Sequence, residues 1–180
     1  YGEWQRDIIG QQVKSMLEKD VIEEAPDSPH NAALVLVRKP SGEWRVCLDS
    51  RLVNKHTVDV PSYGLPNIGD CLEALSGSSY FCSLDAESSF WQIEMTERAK
   101  QICSFQTHIG KFRYKRVPFG LVGASYAFQA VIERVLSRLQ WSECLIFLDD
   151  ILVYGSSFQE TLTRLKRVLK RLITGGIALK

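Results

Sequence analysis

Ten consecutive residues constrain this chain more than any others. Leu145, Ile146, Phe147 and Leu148 precede two aspartates, Asp149 and Asp150, and Ile151, Leu152, Val153 and Tyr154 follow them. Two β-prone runs divided by an acidic pair read as a buried hairpin with carboxylates at its tip. Like charges about 5 Å apart repel by roughly 3 kcal/mol at an effective dielectric near 20, so such apolar flanks are a costly place for both. Something cationic is expected to compensate. Successive strand side chains face opposite sides, so only one of the two is a first-choice partner for a third carboxylate elsewhere.

Asp85 supplies that third carboxylate, because it ends the apolar run Tyr80, Phe81, Cys82, Ser83, Leu84. If the two segments are neighbouring strands, Asp85 and Asp149 converge and present oxygen ligands to hard divalent cations. Magnesium is the usual choice where few carboxylates share the metal with substrate phosphates. Two such ions would activate one oxygen and stabilise a leaving one in a phosphoryl displacement. Each piece also has a plain structural use: Asp-Asp is a common turn dipeptide, and Asp85 suits a helix N-cap.

Around this centre the chain reads as short alternating elements. Ile9, Val13, Met16 and Leu17 recur at helical spacing before a break at Pro26, Asp27, Ser28 and Pro29. Residues 33–38 and 44–48 form a hairpin across a glycine-containing loop, and a loop with Pro61, Gly64 and Pro66 leads into a helix bearing Ile68, Leu72 and Leu75. Tyr80–Leu84 is a strand, and residues 102–107 and 112–117 make a second hairpin. A long helix covers 125–139, strands 144–148 and 151–154 flank the aspartates, and a final helix ends at Gly175 and Gly176. The fold class is α+β, an antiparallel sheet carrying helices on one face.

With 180 residues, 45% hydrophobic and 24% charged, the chain has room for one compact domain, or one lobe of something larger, and a sizeable core. No apolar run nears the length that spans a bilayer and the first residues are polar, so no membrane is expected and the reading is a soluble, unsecreted chain. The net charge of +1 hides an asymmetry: residues 1–90 hold 8 Lys/Arg against 14 Asp/Glu, and residues 91–180 hold 14 against 7. The basic half suits an anionic partner. Five scattered cysteines (Cys47, Cys71, Cys82, Cys103, Cys144), with no C-x-x-C, read as buried thiols rather than a zinc site.

The cations are patterned too. Lys111, Arg113 and Lys115 alternate with Phe112 and Tyr114, which on a strand puts three cations on one face for phosphates of a nucleic acid. Arg38, Lys39 and Arg45 stand on and around the first hairpin, where an arginine suits a bidentate grip on a triphosphate. Solubility alone also places Lys and Arg on hairpins.

The ordered motifs resemble the reverse transcriptases of gypsy-class long-terminal-repeat retrotransposons and their retroviral relatives. They run from Leu17-Glu18-Lys19-Asp20-Val21-Ile22 through Trp44-Arg45-Val46-Cys47-Leu48-Asp49, Arg51, Asn54, Leu65-Pro66 and Leu84-Asp85. They continue with Gln92-Ile93, Pro118-Phe119-Gly120-Leu121, Ala127-Phe128-Gln129 and Leu148-Asp149-Asp150-Ile151-Leu152-Val153. The resemblance implies a right-hand polymerase: fingers in 1–60 and 95–118, palm in 61–94 and 119–180, with the thumb absent. It implies RNA-directed DNA polymerase chemistry with Mg²⁺ or Mn²⁺, an RNA or DNA template-primer and deoxynucleoside triphosphates. The partner set extends to the rest of a pol polyprotein, with thumb and ribonuclease H, and the location to cytoplasm or virus-like particles.

On the same resemblance Asp85, Asp149 and Asp150 are the catalytic, metal-binding triad. Arg45 and Lys39 hold the triphosphate, Phe90 packs under the sugar and disfavours a 2′-hydroxyl, and Phe119 and Gly120 lie beside the nucleotide. Phe147 stands near the primer end, where the family usually has Tyr. Glu87-Ser88-Ser89-Phe90-Trp91 stands where the family usually has Arg-Ser-Gly-Tyr-His, so that Glu87 reverses a charge and Ser89 replaces a glycine, and Val122-Gly123-Ala124-Ser125 replaces Thr-Asn-Ala-Pro. These departures motivate an alternative, a decayed or domesticated domain that serves as a nucleic-acid or protein-binding scaffold. A two-carboxylate hydrolase explains the acidic pair but neither Arg45 nor Phe90.

Overall fold

The computed structural model describes residues 1–58, 64 and 66–180. Pro61 and Leu65, which the sequence reading places in a loop and in the Leu-Pro motif, lie outside the described residues. In chain order the elements are α1 (Glu3–Glu18), β1 (Ile22–Glu24), β2 (Leu34–Arg38), β3 (Trp44–Leu48), α2 (Arg51–His56), α3 (Ile68–Ala74) and β4 (Tyr80–Asp85). There follow a 3₁₀ turn (Ser89–Gln92), α4 (Glu97–Ile102), β5 (Ser104–Thr107), β6 (Gly110–Tyr114), α5 (Ala124–Val135), β7 (Cys144–Phe147), β8 (Asp150–Gly155) and α6 (Phe158–Thr174). They fall into two compact units: Tyr1–Val60 with Phe90–Ala124, and Pro61–Ser89 with Ser125–Lys180.

The first unit holds a three-stranded antiparallel sheet in the order β1-β6-β5 and a two-stranded ribbon, β2-β3. Its core joins Ile9, Val13 and Met16 from α1 to Ile22, Val46, Leu48, Phe105, Phe112 and Tyr114. Phe105 is fully buried, its ring 5.4 Å from that of Tyr114 and 5.9 Å from that of Phe112. Burying each side chain of this size contributes about 1.5–3 kcal/mol. The i, i+3, i+4 spacing of the α1 residues, read from the sequence, is the face that enters this core.

The second unit is built on the antiparallel sheet β4-β8-β7, with β8 in the middle. Ile151 and Val153 of β8 are buried, α6 lies against β8 and β4, and Thr161, Val168 and Leu172 are its buried residues. From α5, Phe128, Ile132 and, just beyond the helix, Leu136 are buried as well. Ser157 caps α6 by accepting from the Glu160 amide, which satisfies one of the helix's unpaired donors.

Several boundaries differ from the sequence reading. The hairpin expected from residue 102 starts at Ser104, because Glu97–Ile102 is a helix capped by Thr96. The long helix stops at Val135, although Leu136 and Leu139 remain buried beyond it. Strands expected to run to 148 and from 151 end at Phe147 and begin at Asp150, leaving a two-residue loop of Leu148 and Asp149.

Candidate active site

The hairpin β7-β8 pairs Phe147 with Asp150 across that loop. Leu148, the first of the two loop residues, has φ +53, a value that L side chains seldom adopt. A leucine in the left-handed region costs about 1–2 kcal/mol, a strain of the kind concentrated at functional turns. Asp85 closes β4 directly opposite Asp150. The structure thus sets Asp150, rather than Asp149, across from Asp85, and puts Asp149 in the turn beside both.

Asp149 bears the electrostatic stress of this arrangement. Burial holds its carboxyl above the usual range; a hydrogen bond from Ser89 pulls it back, and the charges of Asp150 and Asp85 push it up again. Lys180 opposes them. Its Nζ forms an ion pair with Asp85 Oδ2, and its amide donates to the Asp85 carbonyl at 3.0 Å, within a short pairing in which Ala86 bridges Leu179. Lys180 is the compensating cation the acidic tip requires. Sequence pattern points to neither Lys180 nor Ser89 at this place: a lysine 95 residues from its partner carries no local signal.

Among the described residues three buried side-chain polar atoms have no hydrogen-bond partner, and one is Asp149 Oδ1. An orphaned carboxylate oxygen between two further carboxylates matches the donor chemistry of a hard divalent cation. The fit is one of ligand type and not of a finished cage. Among the described residues no group of three or more His, Cys, Asp or Glu side chains is drawn together tightly enough to hold a metal. Phe147 is exposed beside the acidic tip.

In the first unit a second constellation forms. The Arg45 guanidinium sits 4.6 Å from the centre of the Phe119 ring, and the rings of Phe90 and Trp91 lie 5.4 and 5.7 Å from that of Phe119. Gly120 has φ +96, which a side chain would strain. The Asn54 amide fastens this turn by donating to the Gly120 carbonyl at 2.8 Å and accepting from the Val122 amide at 2.8 Å. Four predicted nucleotide residues, Arg45, Phe90, Phe119 and Gly120, therefore share one neighbourhood. Lys39 stands apart at the ribbon's hairpin, paired with Glu43 at 2.9 Å.

The cations expected to face phosphates, on β6 and just after it, have partners within their own unit. Lys111 donates to the Ser28 carbonyl, Arg113 pairs with Glu23 at 2.6 Å, and Lys115 pairs with Asp20 at 2.5 Å. All three cations are partly buried and tie β6 to its neighbours. The alternation was real, but its cations face acids and a carbonyl of the same unit.

Comparison with known proteins follows the same lines. A family profile described as "Reverse transcriptase (RNA-dependent DNA polymerase)" matches residues 37–180. The chain is 33% identical over 177 residues to the retrovirus-related Pol polyprotein from transposon 297 of Drosophila melanogaster, covering 96% of this chain and 16% of that protein. It is 30% identical over 183 residues to the enzymatic polyprotein of cauliflower mosaic virus (strain Strasbourg), covering 99% of this chain and 26% of that one. The foamy viral protease-reverse transcriptase solved in complex with double-stranded DNA superposes with a TM-score of 0.85 at 26% identity, over 97% of this chain and 30% of that one. This chain thus spans between about a sixth and a quarter of these curated relatives, and its fold is the fingers and palm of a right-hand polymerase.

Proposed function

Because this chain belongs to the reverse transcriptase (RNA-dependent DNA polymerase) family, we propose that it is the part of a retroelement polymerase that selects a deoxynucleoside triphosphate and joins it to a primer end. The first unit is read as fingers and the second as palm. The single observation that carries the reading is the acidic tip: Asp149, its Oδ1 orphaned, beside Asp150 and Asp85.

Asp85, Asp149 and Asp150 would hold divalent cations, Mg²⁺ by the preference of oxygen ligands, with Mn²⁺ an alternative. When bound, such ions make the primer 3′-hydroxyl more acidic and offset charge on the pyrophosphate leaving group. The remaining work falls to the protein's own residues. Arg45 directs a fixed positive fork at triphosphate oxygens, with the Phe119 ring holding its plane. Phe90, packed on Phe119, presents an apolar ring under the sugar and excludes a 2′-hydroxyl. Lys39 must leave Glu43 to reach a phosphate, and Phe147 lies against the primer end.

Primer extension on an RNA template tests this reading in a polymerase chain that continues through the segments present in the longer relatives. Asp149→Asn is expected to abolish Mg²⁺-dependent extension while the circular dichroism spectrum stays unchanged. Undiminished extension by that variant would overturn it.

One observation favours a second reading, a decayed domain kept as a binding scaffold. Lys180 already neutralises Asp85, and Ser89 hydrogen-bonds Asp149 where the family usually carries glycine. Extension at the rate of an intact relative excludes it.

A further inference from the structure

The ribbon β2-β3 pairs with no further strand among the described residues, and side chains of the α1 region bond to both of its outer edges. On the β2 side the Tyr1 hydroxyl donates to the Leu34 carbonyl at 3.0 Å and accepts from the Leu34 amide at 3.1 Å. On the β3 side the Gln12 side chain donates from Nε2 to the Trp44 carbonyl at 2.5 Å and accepts at Oε1 from the Val46 amide at 3.1 Å. A two-stranded ribbon alone is marginally stable in water, so these side chains stand in for missing neighbouring strands.

The place of the Gln12 clamp is specific. Trp44 and Val46 are the two residues that flank Arg45, and backbone groups of alternate strand residues point to opposite edges. Gln12 thus bonds one residue on each side of Arg45 from the open edge, while Arg45 itself is paired with Val37 on the other strand. Two further contacts support the position. Trp4 of α1 packs against Trp44 with ring centroids 5.4 Å apart, and Val13, next to Gln12, is buried in the unit's core together with Val46. The stem of Gln12 is therefore anchored to a rigid body, and its amide fixes the peptide frame from which the Arg45 guanidinium reaches the Phe119 ring.

We propose that Gln12 is a positioning residue for nucleotide binding, which clamps both peptides around Arg45 and sets the aim of its guanidinium. The inference rests on the reading of Arg45 as a triphosphate ligand. It assigns Gln12 no contact with substrate. Its loss would act on the orientation of Arg45 and so on the affinity for the incoming nucleotide, since small displacements of an orienting group are costly.

Two measurements test it. Hydrogen exchange on the chain reads the clamp directly: Gln12→Met keeps the length of the side chain but neither bond, and is expected to speed exchange of the Val46 amide while the Phe105 and Tyr114 amides stay protected. Steady-state primer extension by the longer polymerase chain reads its consequence. Gln12→Met is expected to raise KM for the deoxynucleotide about tenfold, the equivalent of two net hydrogen bonds, with kcat and primer-template affinity within about twofold. Gln12→Glu, which still accepts from Val46, is expected to fall between. Unchanged Val46 exchange, or an unchanged nucleotide KM in Gln12→Met when Arg45→Ala raises it, overturns the inference while leaving the role of Arg45 intact. An unchanged KM in Arg45→Ala overturns that role, and this inference with it.

Discussion

Asp150 stands directly opposite Asp85 across the β4-β8 pair, so two carboxylates share one cross-strand position at the end of an apolar sheet. Like charges placed this way destabilise an antiparallel pair by about 0.2–1 kcal/mol. Asp150→Asn is accordingly expected to raise the melting temperature by about 1–3 °C in metal-free buffer. Added Mg²⁺ or Mn²⁺ should raise the melting temperature of the unsubstituted chain more than that of the variant. Thermal scans with and without the cation check both, and a lower melting point for the variant in metal-free buffer would contradict the repulsion.

Asn54 secures the Phe119-Gly120 turn through two hydrogen bonds. Asn54→Ala is expected to cost about 1–2 kcal/mol, measured as a shift of the urea midpoint. Gly120→Ala should cost a similar amount by another route, since its φ of +96 is strained for any side chain.

The Arg51 side chain and amide both donate to Asp49 and hold its carboxyl down to about 2. A carboxylate depressed from 3.8 contributes stability that is present above pH 4 and lost as pH falls toward 2. Asp49→Asn is expected to remove this part of the acid limb, so that the stability curves of variant and unsubstituted chain converge below about pH 2. Acid titration of the unfolding midpoint measures it.

Burial pushes the Cys103 thiol up to about 11 and Cys144 up to about 12. Thiolate is the reactive form, so neither is expected to be alkylated at pH 8 in the folded chain. The half-buried Cys71 and Cys82 should react first, and all five should react in guanidinium. Mass mapping of iodoacetamide adducts reads the order.

Lys115→Ala is expected to lower stability by less than about 1 kcal/mol and to leave the salt dependence of nucleic-acid binding unchanged. A true phosphate contact would instead reduce the slope of log K against log salt by about 0.9. The expectation follows from the pairing of Lys115 with Asp20.

The sequence made legible what periodicity and spacing carry. The hairpin around Asp149 and Asp150, the strand ending at Asp85, the core face of α1 and the stripe on α5 all announce themselves through local pattern. Short elements do not: β1 has three residues and α2 and α4 six each, too few to show a period. The candidate residues of each unit divide in the same way. The acids of the second unit and the Arg45–Phe119–Phe90 group of the first lie in recognisable motifs, whereas the contacts of Lys180, Ser89 and Gln12 join residues distant in sequence. The partners of Lys111, Arg113 and Lys115 are equally distant in sequence. Alternation shows that three cations share a face, and only the tertiary structure shows that Asp20, Glu23 and the Ser28 carbonyl meet them.

The chain passes between its two units after residues 60, 89 and 124, and this route shapes how the protein can be made and inherited. During synthesis β1 precedes β6 and must wait for it before its edge is paired, and β4 must likewise wait for β8. A ribosome-bound chain therefore carries open strands while the intervening segments emerge, exposed to chaperones and to neighbouring nascent chains. The same weave means that a recombination crossover anywhere between those outer passages exchanges parts of both units at once. Neither unit can be traded as a continuous stretch of gene, so the two must drift together.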